Sequence, residues 1–234
     1  MPLILGTNSI KETGYDVANS LRFDDGSSDA LTRTQSSSPT NDNKGTISFW
    51  FKSSFILSGN NQYFFTVFTD ANTRIQMFLK TTGSLRLIQK VSASTTVAIE
   101  TNRLFRDSSA WYHCCVAIDT TQSTSSDRVK LYINGVQETS LASSTYPTQN
   151  ENTQLTKGTD VSIGGYNNTN DFFNGYLAEV VLIDGQQLDP TSFGEFDSSS
   201  PNIWKPIDVS GLTFGTNGFY LDFEKDETST NFID

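Results

Sequence analysis

The sequence predicts an all-β fold, an antiparallel two-sheet sandwich of jelly-roll type. Segments that alternate apolar and polar residues recur at intervals of roughly ten residues, separated by Gly, Asn and Asp turns. That spacing belongs to a sandwich or barrel rather than to strand–helix–strand units. No stretch sustains helical periodicity. Aromatic residues are abundant, with 17 Phe and 8 Tyr set among Ser, Thr, Asn and Gly, which suits side chains packed on pleated faces. At 234 residues the chain fits one large all-β unit. It can bury enough core to fold without a disulfide or a metal.

Residues 1–19 read either as a frayed end or as a docking arm whose apolar patch, Leu3, Ile4 and Leu5, adds to another subunit. The sandwich is expected over 20–196. Its first strand is Ser20–Asp25, followed by a polar loop, Gly26–Lys44. In GTISFWFKSS, Ile47, Phe49 and Phe51 alternate with Ser48, Trp50 and Lys52, a half-buried strand. QYFFTVFTD, RIQMFLK and SLRLIQKV follow, with turns at Asp70–Asn72 and Thr82–Gly83. Trp111–Asp119 and Val129–Gln137 come next, joined by a Ser/Thr-rich loop. The Asn134-Gly135 pair inside the second marks a hairpin, because both residues tolerate positive φ. After a Ser/Thr/Gln/Asn loop come Val161–Tyr166 and a closing strand in which Tyr176, Ala178, Val180 and Leu182 alternate. It runs into an Asp184-Gly185 turn and a Pro-containing hook anchored by Leu188 and Phe193. Residues 197–234 form an extension: SPNIWKPIDVSG reads as loop because Pro201 and Pro206 interrupt pairing. Gly218–Glu224 adds one strand, and a loose tail ends it. Each sheet should hold about six strands, with the leader and the extension lying outside as arms or edge strands.

Sixteen basic residues against 26 acidic ones leave a net charge of −10. Such a chain repels phosphate backbones, so nucleic acid is not an expected partner. Cys114 and Cys115 are adjacent, and neighbouring strand residues point to opposite faces, so two free thiols are expected, one inside and one outside. No stretch approaches the ~20 apolar residues of a membrane span, and MPLILGTNSIKETG turns polar too quickly for a signal peptide.

Three local patterns, in order, resemble the laminin-G/pentraxin-type concanavalin A-like domains. WYHCCVAID resembles their Trp-x-His strand, VKLYINGVQ their Asn/Asp-Gly hairpin, and VSIGG followed by FNGYLAEVVLID their closing pair. The resemblance covers about residues 20–196 and implies a fold that binds or builds more often than it catalyses. A further likeness lies in LAEVVLIDGQQLDPTSFGEFD, IWKPIDVSGLTFGTNGFYLDF and the leader LILGTNSIKETGYDVANSLRF. These are similar to stretches that recur in virion proteins of tailed, especially marine, bacteriophages. That resemblance implies a virion structural protein: a capsid decoration, head fibre or tail appendage assembled in the host cytoplasm. Its partners would be other capsid or tail subunits and copies of itself, and the absent signal peptide and free thiols agree with it.

The chemistry in the sequence points away from catalysis. His113, the only histidine, reads as a structural strand residue that cannot hydrogen-bond to its neighbour Cys114 as base to nucleophile. One His and two Cys so placed do not make a metal site. Glycosidases share this fold and need two acids flanking a cleft, about 5–10 Å apart. Glu179 and Asp184 are separated by VVLI, and Asp222 with Glu224 lacks a third acid. No catalytic residue is therefore assigned. Calcium, held by Asp and Asn of rim loops, is the cofactor worth testing. Asp70 and Asn72 in one loop, with Asn167, Asn168 and Asp171 in another, would have to meet at one rim. The preferred reading is that these are turn formers. Tyr63, Tyr146 and Tyr166 sit near loops, as stacking platforms for sugar rings or as packing residues. The expectation is thus a non-enzymatic virion structural protein. The alternative is a carbohydrate-binding attachment module for a host surface glycan, with Tyr63, Asp70, Asn72, Tyr166, Asn168 and Asp171 as ligand residues. A glycoside hydrolase comes third.

Overall fold

A computed structural model describes residues 14–35, 37–54, 59–166 and 171–224; Leu3, Ile4, Leu5 and Asn168 lie outside them. The described residues form two large antiparallel sheets, with helix limited to two three-residue 3-10 turns, Ser125–Asp127 and Pro190–Ser192. Sheet A runs β1 (Leu21–Phe23), β13 (Gly175–Asp184), β3 (Lys44–Ser53), β8 (Tyr112–Asp119), β9 (Val129–Ile133) and β10 (Val136–Gln137), and β16 (Phe219–Leu221) also pairs with β13. Sheet B runs β11 (Leu141–Thr145), β7 (Ser94–Leu104), β6 (Ser84–Val91), β5 (Thr73–Leu79), β4 (Gln62–Asp70), β12 (Asp160–Ile163) and β2 (Leu31–Thr34). Each sheet has seven strands rather than six. No helix among the described residues is long and apolar enough to cross a membrane.

Period-two burial builds the core as expected. Ile47, Phe49 and Phe51 of β3 face Phe64 of β4, with ring centroids 5.3 Å (Phe49–Phe64) and 4.7 Å (Phe51–Phe64) apart, and Phe173 closes on Phe64 at 4.8 Å. Burying each such ring contributes on the order of 1.5–3 kcal/mol. The Asn134-Gly135 hairpin joins β9 to β10, with φ of 49° and 76°. Cys114 lies in the core between the sheets and Cys115 in a second apolar cluster on the outer face of sheet A, both free.

Several expectations are corrected. The polar run Gly26–Lys44 contains β2, which closes the edge of sheet B by pairing with β12. The Ser/Thr-rich stretch before Val161 contains β11, paired to β7, and β7 itself is an eleven-residue strand that the sequence pattern did not disclose. In SPNIWKPIDVSG, Trp204–Pro206 is a strand, β15, paired to β14 (Gly194–Phe196). Pro206 sits at its end, where a missing N–H costs least. The alternation Tyr176, Ala178, Val180, Leu182 does not hold to one face. Register shifts between Ala178 and Val181, around Glu179 at φ 50°, so the inward residues are Leu177, then Val180 and Leu182. A bulge places two residues opposite one and reverses the parity beyond it.

Of the two readings of the extension, the added edge strand holds: β16 pairs with β13. Val209, Leu212, Phe214 and Tyr220 of the extension, with Leu188 and Phe193 of the hook, pack on Cys115, Val181 and Ile183 on the outer face of sheet A. Strand β3 is therefore buried on both faces, with Ser48 and Trp50 buried as well as Phe49, rather than half-buried. The expected boundary at 196/197 runs through the β14–β15 pair.

Candidate functional site

The chain has three tryptophans, and all three line one groove on the outer side of sheet A, with a volume of about 410 Å³. Trp50 is there because its neighbours Phe49 and Phe51 point inward, which turns its indole outward beside Ala178. Trp204 stands over them because two glycines leave room for its ring. A Cβ on Gly135 would lie 2.4 Å from Cε3 and Cζ3, and a Cβ on Gly194 2.6 Å from Cε2. Trp111, immediately before β8, is the exposed member and packs on Tyr176 with centroids 6.5 Å apart. The segment before β1 supplies the other wall, from Tyr15 to Ser20.

The polar groups on this apolar lining are Asp16, Asn19, Ser20 and Lys205. The Lys205 ammonium is held by Glu195 at 3.3 Å and Asp197 at 3.4 Å. Tyr15 is fixed from behind: its hydroxyl lies 3.1 Å from Glu179 Oε2 and 3.0 Å from the Tyr220 hydroxyl, and Tyr220 donates to the same carboxylate at 2.7 Å. Burial lifts the Glu179 carboxyl above its ordinary range, against the pull of the Tyr220 and Tyr15 hydroxyls. The bulge at Glu179 thus ties the leader, β13 and β16 together at one end of the groove.

Beneath the groove lies His113. Its Nε2 is 2.8 Å from Ser48 Oγ, and its ring faces Trp50 at 5.1 Å and Trp204 at 5.8 Å. The expected structural histidine is therefore only half satisfied, since Nδ1 has no partner among the described residues. A Ser–His pair at hydrogen-bond distance invites comparison with a nucleophile and its base. Both residues are shut away from solvent, with exposures of 1% and 0%, and burial pushes the imidazole down to about 3. A base that weak, with no orienting carboxylate on Nδ1, does not activate a hydroxyl at neutral pH.

The residues expected from sequence are only partly brought together. Tyr63 and Tyr166 do meet, with ring centroids 5.3 Å apart. Tyr63 is, however, 8% exposed and stacked on Phe78 at 4.6 Å; it is a packing residue, and burial with Asp171 nearby lifts its hydroxyl to about 12. Tyr146 is likewise half-buried against the core. Asp70 lies at the opposite end of β4 from Tyr63. Seven residues at ~3.3 Å each separate them by on the order of 20 Å. Asp70 accepts the Asn72 amide at 2.7 Å in a local turn, whereas Tyr166 reaches between the two ends of β4, its ring packing on Tyr63 and on Phe68. Asn168 lies outside the described residues. No group of three or more His, Cys, Asp or Glu among the described residues could hold a metal ion. The groove went unread in the sequence because its tryptophans are dozens of positions apart; the one available signal was Trp50, set between the inward-facing Phe49 and Phe51.

A two-sheet antiparallel sandwich with an aromatic groove beside one sheet defines the class as a lectin-like β-sandwich. The chain belongs to the concanavalin A-like lectin/glucanases superfamily, whose laminin G-type profile matches residues 24–189. Among solved structures it is similar to a heptameric SAP-like pentraxin from Limulus polyphemus, at 18% identity and a TM-score of 0.49 over 75% of this chain and 80% of that one. It is also similar to domain 4 of an extracellular arabinanase from Geobacillus stearothermophilus in complex with arabinotriose: 19% identity, TM-score 0.45, 64% of each chain. A carbohydrate-binding protein from Bacteroides ovatus, itself described as putative, aligns at 10% identity and a TM-score of 0.48 over 81% of this chain and 61% of that one. The alignments thus span less than two thirds of the latter two chains. No characterised protein sequence matches this chain.

Proposed function

We propose that this chain is a non-catalytic glycan-binding sandwich, displayed on a bacteriophage particle as a decoration, fibre or tail-appendage subunit, with the three-tryptophan groove as its sugar platform. The observation that carries the binding reading is the convergence of Trp50, Trp111 and Trp204 on one groove with Asp16, Asn19 and Lys205. A sugar ring offers an apolar C–H face and a rim of hydroxyls. Indole faces take the first, and carboxylate, amide and ammonium groups take the second. Among the described residues Asp16 is the one acid lining the groove, whereas glycoside hydrolysis uses two carboxyls flanking the bond; this supports binding without cleavage.

The virion setting rests on the resemblance of residues 177–197, 203–223 and the leader to phage particle proteins. That same stretch supplies Trp204, Lys205 and Pro206 to the groove. In this reading the protein is assembled in the host cytoplasm, sits beside other virion subunits and copies of itself, and faces outward to a host surface glycan.

A glycan array with intrinsic tryptophan fluorescence as the second readout tests the binding role. Trp111→Ala should fold like the parent, because that ring is already 37% exposed, and should bind at least tenfold more weakly, as expected for a central aromatic anchor. No fluorescence response to any glycan, or equal binding by Trp111→Ala, overturns it. Release of reducing ends from a bound polysaccharide overturns the non-catalytic part. For the virion part, mass spectrometry of purified particles of the encoding virus should find the chain at a stoichiometry set by particle symmetry; its absence refutes that role.

A further inference from the structure

The outer face of sheet B, on the far side of the molecule from the groove, carries a cationic cluster with too few acids. Register fixes its membership. Ile75, Met77, Leu85 and Leu87 point into the core, so Arg74, Gln76 and Phe78 of β5 and Arg86, Ile88 and Lys90 of β6 point outward. Arg74 stands directly opposite Lys90 across the two strands. Like charges so placed, with Cβ atoms about 4.5–5.5 Å apart, oppose pairing.

Among the described residues no carboxylate forms an ion pair with either of them: Asp70, beside them at the end of β4, accepts the Asn72 amide at 2.7 Å, and Asp171 stands by Tyr63. Glu100 bonds the Lys80 ammonium at 2.8 Å and lies 3.7 Å from Arg86 Nε. Gln76, itself 4% exposed, accepts from Arg74 Nε at 3.0 Å and fixes the guanidinium. Arg74 Nη1 and Arg86 Nε then remain buried without a hydrogen-bond partner among the described residues. Asp160 is in the same cross-strand row, but two strands away from Arg74, and is bonded to Thr34 at 3.2 Å. Among the described residues, Glu100 is thus the one carboxylate ion-paired with any of these four cations, on a chain whose acids outnumber its bases by ten, 26 against 16. Phe68, opposite Arg74 on β4, packs with Tyr166 at 5.9 Å and gives the cluster an aromatic border.

We propose that Arg74, Lys90 and Arg86 form a second binding site, for the anionic group of an acidic sugar, whose oxygens would bridge the opposed cations. A guanidinium pre-oriented by a buried amide suits a planar or tetrahedral oxyanion, and charge-assisted bonds are about twice as strong as neutral ones. The aromatic border takes the ring that carries the charge. This site stands apart from the tryptophan groove and does not depend on it.

Affinity electrophoresis of the full chain tests this, with polygalacturonate for carboxylates, dextran sulfate for sulfate esters and dextran as the neutral control. An acidic polymer should retard the protein, dextran should not, and added salt should weaken the retardation; whichever acidic arm retards names the oxyanion. The double variant Arg74→Gln/Lys90→Gln should lose at least tenfold in affinity while melting no lower than the parent, because it removes a repulsion. Trp111→Ala should leave this binding unchanged. Equal retardation of the double variant, or equal retardation by dextran, overturns the proposal. So does a marked loss of melting temperature in the double variant, which would make the cations structural.

Discussion

The lone histidine makes acid stability a direct test of how deeply the groove's floor is buried. His113 binds its proton near pH 3 in the folded chain and at 6.5 when unfolded. Between those values the unfolded state carries more protons, so acid favours unfolding: stability is full above about pH 7 and falls as pH drops through 6.5 toward 3. Each pH unit inside that window costs about 1.4 kcal/mol, which amounts to about 2 kcal/mol between pH 7 and pH 5. Asp119 does not blur the window. Against desolvation, hydrogen bonds from Thr121 and Gln122 and the Lys44 contact hold it at about 2, so its contribution is lost only as pH falls from 3.8 toward that value. Glu179, lifted by burial, pulls the other way, and does so in both the parent and a His113 variant. The diagnostic quantity is therefore the difference between the parent and His113→Gln, whose amide can still meet Ser48 but does not titrate. Urea unfolding at both pH values should show the parent losing about 2 kcal/mol on acidification, a midpoint shift of about 1 M at ordinary m-values. His113→Gln should lose little. An equal loss in both proteins would refute the assignment of acid sensitivity to this buried ring.

Two further outcomes follow from the packing. Gly135→Ala forces a Cβ into the Trp204 ring at a φ of 76°, combining left-handed strain with overpacking. It should cost about 2–4 kcal/mol and shift tryptophan emission in the folded state; a loss below 1 kcal/mol in chemical unfolding would argue against it. Cys114 and Cys115 are both fully buried, and burial pushes both thiols well above their ordinary range. A thiol reagent should label neither in the native protein and both once it is unfolded; native labelling as fast as that of a free thiol would contradict the burial of either face of β8.

What could be read in the chain was what depends on adjacent residues. Ile47, Phe49 and Phe51 reveal β3 because period-two burial is written in consecutive positions. Asn134-Gly135 reveals its hairpin because the turn needs positive φ at both residues. Cys114 and Cys115 reveal opposite faces for the same reason. Strands whose burial is shared with a distant partner stayed hidden: β2 is four residues with one buried apolar side chain, Leu31, and β11 is a polar edge strand bonded to β7. The bulge at Glu179 could not be read either, since its positive φ is held by hydroxyls from Tyr15 and Tyr220, 164 and 41 positions away.

One long-range event accounts for most of what was missed. The segment after the hook folds back over sheet A and buries a face that the alternation of β3 marks as solvated. Its cover explains why Ser48 and His113 are sealed, why Trp50 is a floor rather than a surface residue, and why β15 forms in a stretch with two prolines. It also creates the groove, because Trp204 closes over Trp50 only when the extension is in place. The stretch that resembles phage particle proteins and the stretch that completes the ligand site are therefore one piece of chain. Removing residues after Phe196 should open His113 to solvent and dismantle the groove together, leaving a sandwich with an exposed apolar face.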